Sequence, residues 1–330
     1  MTQSRDSLIS LVDTPYYHCI SRCVRRAFLC GEDRYTGQSF EHRRQWVIDR
    51  VKYLTDVFPI EVCAYAIMSN HYHLVLFVNE IELADLTDCE VCERWSKIYS
   101  VPVIVQRWQK GELSSDIQSL EALKVIGEWR KRLSSISWFM RCLNEFIAVK
   151  SNKEDKCKGR FWEGRFKSQA LLDEKAVLTC MAYVDLNPIR AKMASKVESS
   201  EYTSVFERIH NKTHYNDSQE SVSCKPLVKF VGAEHHNQPQ GINFTLIDYL
   251  ALVDWSGRII REGKRGVISE QTPVLLSALG LDHETWLSLA SDFGKSYHGA
   301  VGSLEELALF AEHTGKQWIA GKNRLRRIYH

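Results

Sequence analysis

No apolar run in this chain approaches the roughly 18 to 20 residues that a membrane-spanning helix needs. The densest run is Leu74-Val75-Leu76-Phe77-Val78. The opening carries no secretory signal, because Arg5 and Asp6 precede only a short apolar patch from Leu8 to Val12. A cytoplasmic protein without a membrane partner is therefore expected. No two glycines are spaced as G-x-G, so the dinucleotide-binding fingerprint is missing. Gly294-Lys295-Ser296 has the form of the end of a phosphate loop, but the first glycine of that loop would stand where Leu289 does. Nothing points to the use of nucleotide triphosphates. Charge of one sign is also missing. The chain has 43 Lys and Arg against 41 Asp and Glu, a net charge of +2. A nucleic-acid partner would have to be held by local basic patches rather than by a field over the whole molecule.

The chain has 330 residues, enough for about two domains. At 44% hydrophobic and 25% charged it is ordinary globular material, and wholesale disorder is excluded. Ten cysteines without an export signal fit a reducing compartment, most of them serving as small buried hydrophobes. Cys89-Glu90-Val91-Cys92 is the one C-x-x-C. A structural zinc site usually needs a second pair at similar spacing, and none follows.

Tyr16 to Arg22 is rich in aromatic and β-branched residues and predicts a strand. Residues 41 to 57 predict a helix, with Trp46, Val47, Val51, Leu54 and Val57 near helical spacing. Ile60 to Met68 and Tyr72 to Val78 predict two strands joined at Ser69-Asn70. Residues 80 to 93 hold six acids and no base, which predicts a solvated insertion. Ile136, Phe139, Met140, Leu143, Phe146 and Ile147 make an amphipathic helical stripe. A short strand from Gln169 to Leu172 and a helix from Glu174 to Leu186 follow, the helix broken at Asn187-Pro188. Together these predict an α+β fold, with an antiparallel sheet and packed helices. Residues 211 to 240 are polar and predict a linker. Residues 241 to 330 predict a separate helical module that includes a capping box at Ser303 and a basic tail, Lys322 to Arg327.

Three features carry chemistry. In Asn70-His71-Tyr72-His73-Leu74, strand alternation puts His71 and His73 on one face and Tyr72 on the other. Two such imidazoles can share a cation, or they can be packed histidines at a strand end. In Tyr183-Val184-Asp185-Leu186-Asn187-Pro188, helical spacing puts Tyr183 and Asn187 on one face. Tyr183 can be a covalent nucleophile or a core tyrosine, and Asn187 can be a ligand or a cap of the next helix. In Gly159 to Ser168, Arg160, Arg165 and Lys167 surround Phe161, Trp162 and Phe166. The cations suit phosphates and the rings suit stacked bases, or the segment is a solvated loop over buried aromatics. Arg22, Arg25 and Arg26 add charge beside the first strand.

The combination and its order are more specific than the parts. Tyr17 to Arg22, Ala64 to Leu74, Gly159 to Trp162, Arg165 to Ser168 and Tyr183 to Ala191 together resemble the REP-associated tyrosine transposases, within the single-tyrosine HUH transposases. The resemblance covers roughly residues 14 to 210, with residues 80 to about 130 inserted. It implies a ferredoxin-like central sheet and a divalent metal, magnesium or manganese, held by His71 and His73 with Asn187 as a polar third ligand. It implies Tyr183 as nucleophile, forming a 5′-phosphotyrosine while cutting and rejoining single-stranded DNA beside a palindromic hairpin. It also implies DNA contacts from Arg22, Arg25, Arg26, Arg160, Arg165 and Lys167. The alternative is a regulator that kept the hairpin-binding surface without turnover. Residues 303 to 327 can be read as an accessory helix-turn-helix or as a basic solvated terminus.

Overall fold

The computed structural model describes residues 8–24, 29–32, 37–210, 225–232, 240–262, 271–296 and 299–316. The first half alternates β1 (Tyr16–Arg22), α1 (Arg43–Val57), β2 (Ile60–Ile67) and β3 (His71–Val78). Four helices follow: α2 (Glu80–Asp85), α3 (Asp88–Ser96), α4 (Val103–Gln109) and α5 (Asp116–Leu133). Then come α6 (Ile136–Glu154), β4 (Lys167–Leu171), α7 (Glu174–Asp185) and the one-turn α8 (Asn187–Arg190). The rest is α9 (Ser204–His210), α10 (Leu246–Glu262), α11 (Gln271–Ala278), α12 (His283–Ser296), β5 (Ala300–Val301) and α13 (Leu304–His313).

The fold is α+β. The sheet runs β2-β3-β1-β4-β5, and the first four strands pair antiparallel throughout. That order, with α1 and α6 as the crossing helices, is ferredoxin-like. Two faces follow from strand alternation. Tyr72 and Ser21 point to the α6 side, where Asn144 accepts from Tyr72 Oη at 2.7 Å and donates to Ser21 Oγ at 2.9 Å. His18, His73 and Gln169 point to the other side, which α7 covers. Both faces are buried, and β3 accordingly reads as a nearly unbroken apolar run.

The acidic stretch from residue 80 to residue 93 folds as two helices, with most of its side chains at the surface. Asn79 and Thr87 cap α2 and α3, and Val91, Cys92 and Trp95 turn inward. Two of its acids make ion pairs: Glu82 with Arg94 and Lys225, and Asp88 with Arg130. Cys92 is buried while Cys89 is exposed on the same helix. Among the described residues no group of three or more His, Cys, Asp or Glu could hold a metal ion.

The described C-terminal elements lie against the first portion. Residues 225–232 run beside β2, with Val228 N donating to Val62 O at 2.9 Å and Leu227 buried. β5 adds to the sheet edge parallel to β4, and α12 packs along α7. The buried hydrophobic residues described within 241–316, among them Tyr249, Trp286, Phe293 and Phe310, belong to one core with those of the first portion. Ser303 does form the capping box that opens α13. The basic tail from Lys322 lies outside the described residues. No helix among them is long and apolar enough to cross a membrane.

Candidate active site

Three strands and two helices bring a compact polar cluster together on the α7 face. The register of β1 against β3 places Arg22 opposite His71 and Ile20 opposite His73. His18, one alternation further along β1, is therefore the diagonal neighbour of His73, within side-chain reach. The ring centroids of His71 and His73 lie 4.9 Å apart, so the strand does put both imidazoles on one face. Tyr183, on the last turns of α7, sits edge-on to His73 at 5.7 Å and to His18 at 6.1 Å. The tyrosine and both histidines share one side of the sheet.

His71 is half-buried, and its Nδ1 donates to Asn70 Oδ1 at 2.5 Å. His73 is buried, with Nδ1 against His18 Nε2 at 2.9 Å. The other nitrogen of His73, Nε2, is buried without a hydrogen-bond partner. An orphaned imidazole nitrogen is costly in a dry interior unless something else fills it. Burial holds all three histidines neutral. It is the main cause that lowers His18 and His71 to about 4 and His73 well below the usual range. Nearby positive charge acts in the same direction: Arg190 on all three rings, and Arg22 on His71 as well. His18 and His71 add to the effect on His73.

Asn187 opens α8, buried at 7% exposure. Its Oδ1 accepts from Arg190, and its Nδ2 is orphaned. Pro188 sits in the first turn of α8, where its missing N–H costs nothing. Arg190 is a part of the cluster that the sequence did not single out. Its guanidinium lies 3.8 Å above the Tyr183 ring and donates to Tyr183 O at 3.2 Å. It also donates to the backbone of α12 at Ala290 and Ser291. Asp185, between Tyr183 and Asn187 in sequence, points away. It accepts from Ser204 Oγ, from Val205 N at 3.0 Å and from Tyr249 Oη at 2.6 Å, and so pins α7 to α9 and α10.

The far wall comes from α12. Phe293 packs 5.9 Å from the Tyr183 ring and 6.3 Å from His18. Gly294 lies so close to Tyr183 Oη that a Cβ built there would overlap it and would come 3.0 Å from Cζ. No residue but glycine leaves room for the tyrosine tip at this crossing.

The basic residues divide. Arg22 and the 160–165 segment are joined through the backbone: Glu163 N donates to Arg22 O at 2.8 Å and Val24 N to Phe161 O at 2.9 Å. Arg22, Arg160, Arg165 and Lys167 are all exposed near this edge, with Glu163 3.8 Å from Arg22. Arg25 and Arg26 lie outside the described residues. Of the two readings of this segment, the rings follow the one in which they are buried under the loop. Phe161, Trp162 and Phe166 are 2, 8 and 8% exposed, and Trp162 Nε1 donates to Asn144 O at 2.8 Å. Their apolar area gains more from joining the core beside Tyr72 than from facing water. A cavity of about 370 Å³ opens elsewhere, against the start of β1 and the end of β4. Its carboxylates, Asp13, Asp173, Glu174 and Glu306, would repel a phosphate backbone.

No protein-family model and no curated protein matches the chain. Among solved structures it is similar to one described as the REP-associated tyrosine transposase bound to a REP hairpin. The two share 11% sequence identity and superpose with a TM-score of 0.38, covering 69% of this chain and all of that one.

Proposed function

We propose that this protein cuts and rejoins single-stranded DNA beside a palindromic hairpin, with Tyr183 as the nucleophile. The observation that carries the reading is the meeting of Tyr183 with the His71–His73 pair, whose one orphaned nitrogen is buried beside the tyrosine ring. The donor set fits a divalent ion. His71 and His73 would hold it, and Asn187 would add its amide oxygen, which keeps a second lone pair beside the Arg190 bond. When bound, magnesium or manganese would polarise the scissile phosphate and offset charge in the transition state.

The chain's own residues do the rest. Tyr183 Oη attacks phosphorus and forms a 5′-phosphotyrosine, while the 3′ oxygen leaves as a hydroxyl. Arg190 on one ring face and Phe293 beside it fix the position of the tyrosine ring. The ester keeps the energy of the broken phosphodiester, so rejoining needs no nucleotide triphosphate. Arg22, Arg160, Arg165 and Lys167 would take the phosphates that position the strand. The test is to incubate the protein with end-labelled hairpin DNA and manganese and to resolve a covalent protein–DNA adduct on a denaturing gel. Its absence while the hairpin still binds would remove the enzymatic reading.

One observation favours the alternative, a hairpin-binding regulator without turnover: Tyr183 Oη meets the backbone of α12 at Gly294. The same gel separates the two readings. Gly294→Ala is expected to push the hydroxyl off line and to reduce adduct formation by about a hundredfold, as for an ångström-scale misplacement. Hairpin affinity should not change. An undiminished adduct would show that the tyrosine reacts from another position.

Replacing both Arg165 and Lys167 by Ala is expected to flatten the salt dependence of binding. Taking two cations off the phosphates of a single strand makes the slope of log K against log salt shallower by roughly 1.4. An unchanged slope would take both residues off the DNA surface.

A further inference from the structure

We infer that Gln169 and His18 form a relay that sets the tautomer of His73 and keeps its Nε2 free of hydrogen. The inference rests on the reading of His73 as a metal ligand and deepens it.

The relay is built from strand register. β4 places Gln169 opposite His18 on β1, and β1 places His18 diagonal to His73 on β3. Gln169 Oε1 lies 3.2 Å from His18 Nδ1. An amide oxygen only accepts, so the hydrogen is on His18 Nδ1. Both rings are buried, at 1 and 2% exposure, and neither bonds a carboxylate that would hold a second proton. A neutral imidazole with its hydrogen on Nδ1 offers a lone pair at Nε2. His18 Nε2 is 2.9 Å from His73 Nδ1, so His73 is the donor in that bond. The single hydrogen of His73 is thus spent on Nδ1. Its Nε2 is left bare, and this is the atom found buried without a partner.

The reverse order would be damaging. If His18 carried its hydrogen on Nε2, His73 would have to accept at Nδ1 and carry its own hydrogen on Nε2. A would-be ligand atom would become a buried, unpaired donor. His71 reaches the favourable tautomer by a shorter route, through the neighbouring Asn70 Oδ1. Ligand histidines elsewhere are oriented by the group their other nitrogen contacts, commonly a carboxylate or a carbonyl. Here a second histidine backed by an amide takes that place, without adding negative charge to a surface meant for phosphate. His18 and Gln169 are positioning residues, since neither need touch the metal or the DNA.

The test reads the tautomer directly. Protein labelled with ¹⁵N-histidine, without metal, is examined by long-range ¹H–¹⁵N correlation, and a His73→Gln sample assigns the signal. Wild-type His73 is expected to carry its hydrogen on Nδ1. Gln169→Met nearly conserves volume but removes the acceptor for His18 Nδ1. The His73 hydrogen is then expected on Nε2 in a substantial share of molecules. Manganese affinity, followed by electron paramagnetic resonance, is expected to fall roughly ten- to a hundredfold. A wild-type His73 with its hydrogen on Nε2 overturns the relay, and that result needs no variant to fold. A folded Gln169→Met protein with the wild-type tautomer overturns it equally. Wild-type protein that binds no manganese yet shows hydrogen on Nδ1 of His73 would refute the metal reading and leave the relay standing.

Discussion

Tyr183→Phe should abolish the covalent DNA adduct while hairpin DNA still binds with near-normal affinity. The substitution removes one oxygen and keeps the ring. The contacts that hold that ring, the Arg190 guanidinium at 3.8 Å and the edges of His73 and Phe293, do not use the hydroxyl. Packing should therefore survive. A tyrosine whose hydroxyl made one ordinary hydrogen bond would lose only about 1 kcal/mol on this change. A nucleophile loses the reaction outright, because phenylalanine has no atom to bond phosphorus. Affinity should persist because it comes from cations on the phosphate backbone and not from the phenol. The comparison is wild type against Tyr183→Phe on a cleavable hairpin with manganese, run beside a binding titration. A mutant that still forms the adduct would exclude Tyr183 as nucleophile and send the search to another tyrosine. If neither protein forms an adduct and both bind, the regulator reading stands.

Where side chains obey a period, the sequence was readable. β1 and β3 begin and end within a residue of what alternation predicts, and His71 and His73 face together because residues two apart on a strand must. The coming proline placed the end of α7 to within a residue, but Asn187-Pro188 opens α8 instead of breaking the helix, because a proline in the first turn has no hydrogen bond to lose. What was hidden depends on register between distant segments. His18 stood in view within Tyr17-His18-Cys19, but its partner on β3 is 55 positions away and its partner on β4 is 151 away. A slip of one residue in either pairing would have turned it to the opposite face. Arg190 was legible only as a base seven residues beyond Tyr183, about two helical turns, a spacing that meant nothing until α8 brought it over the ring. Gly294 belongs to a segment whose composition suggested a separate module, and no local pattern announces that a helix will cross a tyrosine tip. The aromatics of the 159–168 segment stayed ambiguous for a related reason. Rings beside cations suit both a base-stacking surface and a core edge, and only the position of Asn144 and Tyr72 behind Trp162 decides it.

Lowering the pH from about 7 to about 4.5 should destabilise the fold through the buried histidines, and removing Asp185 should make that loss steeper. His18 is held neutral first by burial, with Arg190 adding to it and the Gln169 bond opposing it, and lies near 4 instead of 6.5. A histidine whose folded value is depressed contributes stability above its unfolded value, and that stability is lost as the pH falls from about 6.5 toward 4. For His18 alone the shift corresponds to about 3 kcal/mol. His71 and His73 shift the same way, but they interact with each other and with His18, so their contributions do not simply add. Asp185 works in the opposite sense. Burial is the main cause that raises it from 3.8 to about 6, against the bonds from Ser204, Tyr249 and Val205 and the pull of Arg208. A carboxyl with a raised folded value contributes most below its unfolded value and loses that contribution as the pH rises through about 6. Acidification to about pH 4.5 therefore returns stability through Asp185, about 2 kcal/mol, while it removes stability through three histidines. Asp185→Asn keeps the acceptor for Ser204 and Val205 and deletes the titration. Urea unfolding at the two pH values should show a larger acid loss for Asp185→Asn than for wild type, and a smaller one for His18→Gln. Equal losses in Asp185→Asn and wild type would mean that Asp185 is already charged in the folded protein and that its three donors outweigh its burial.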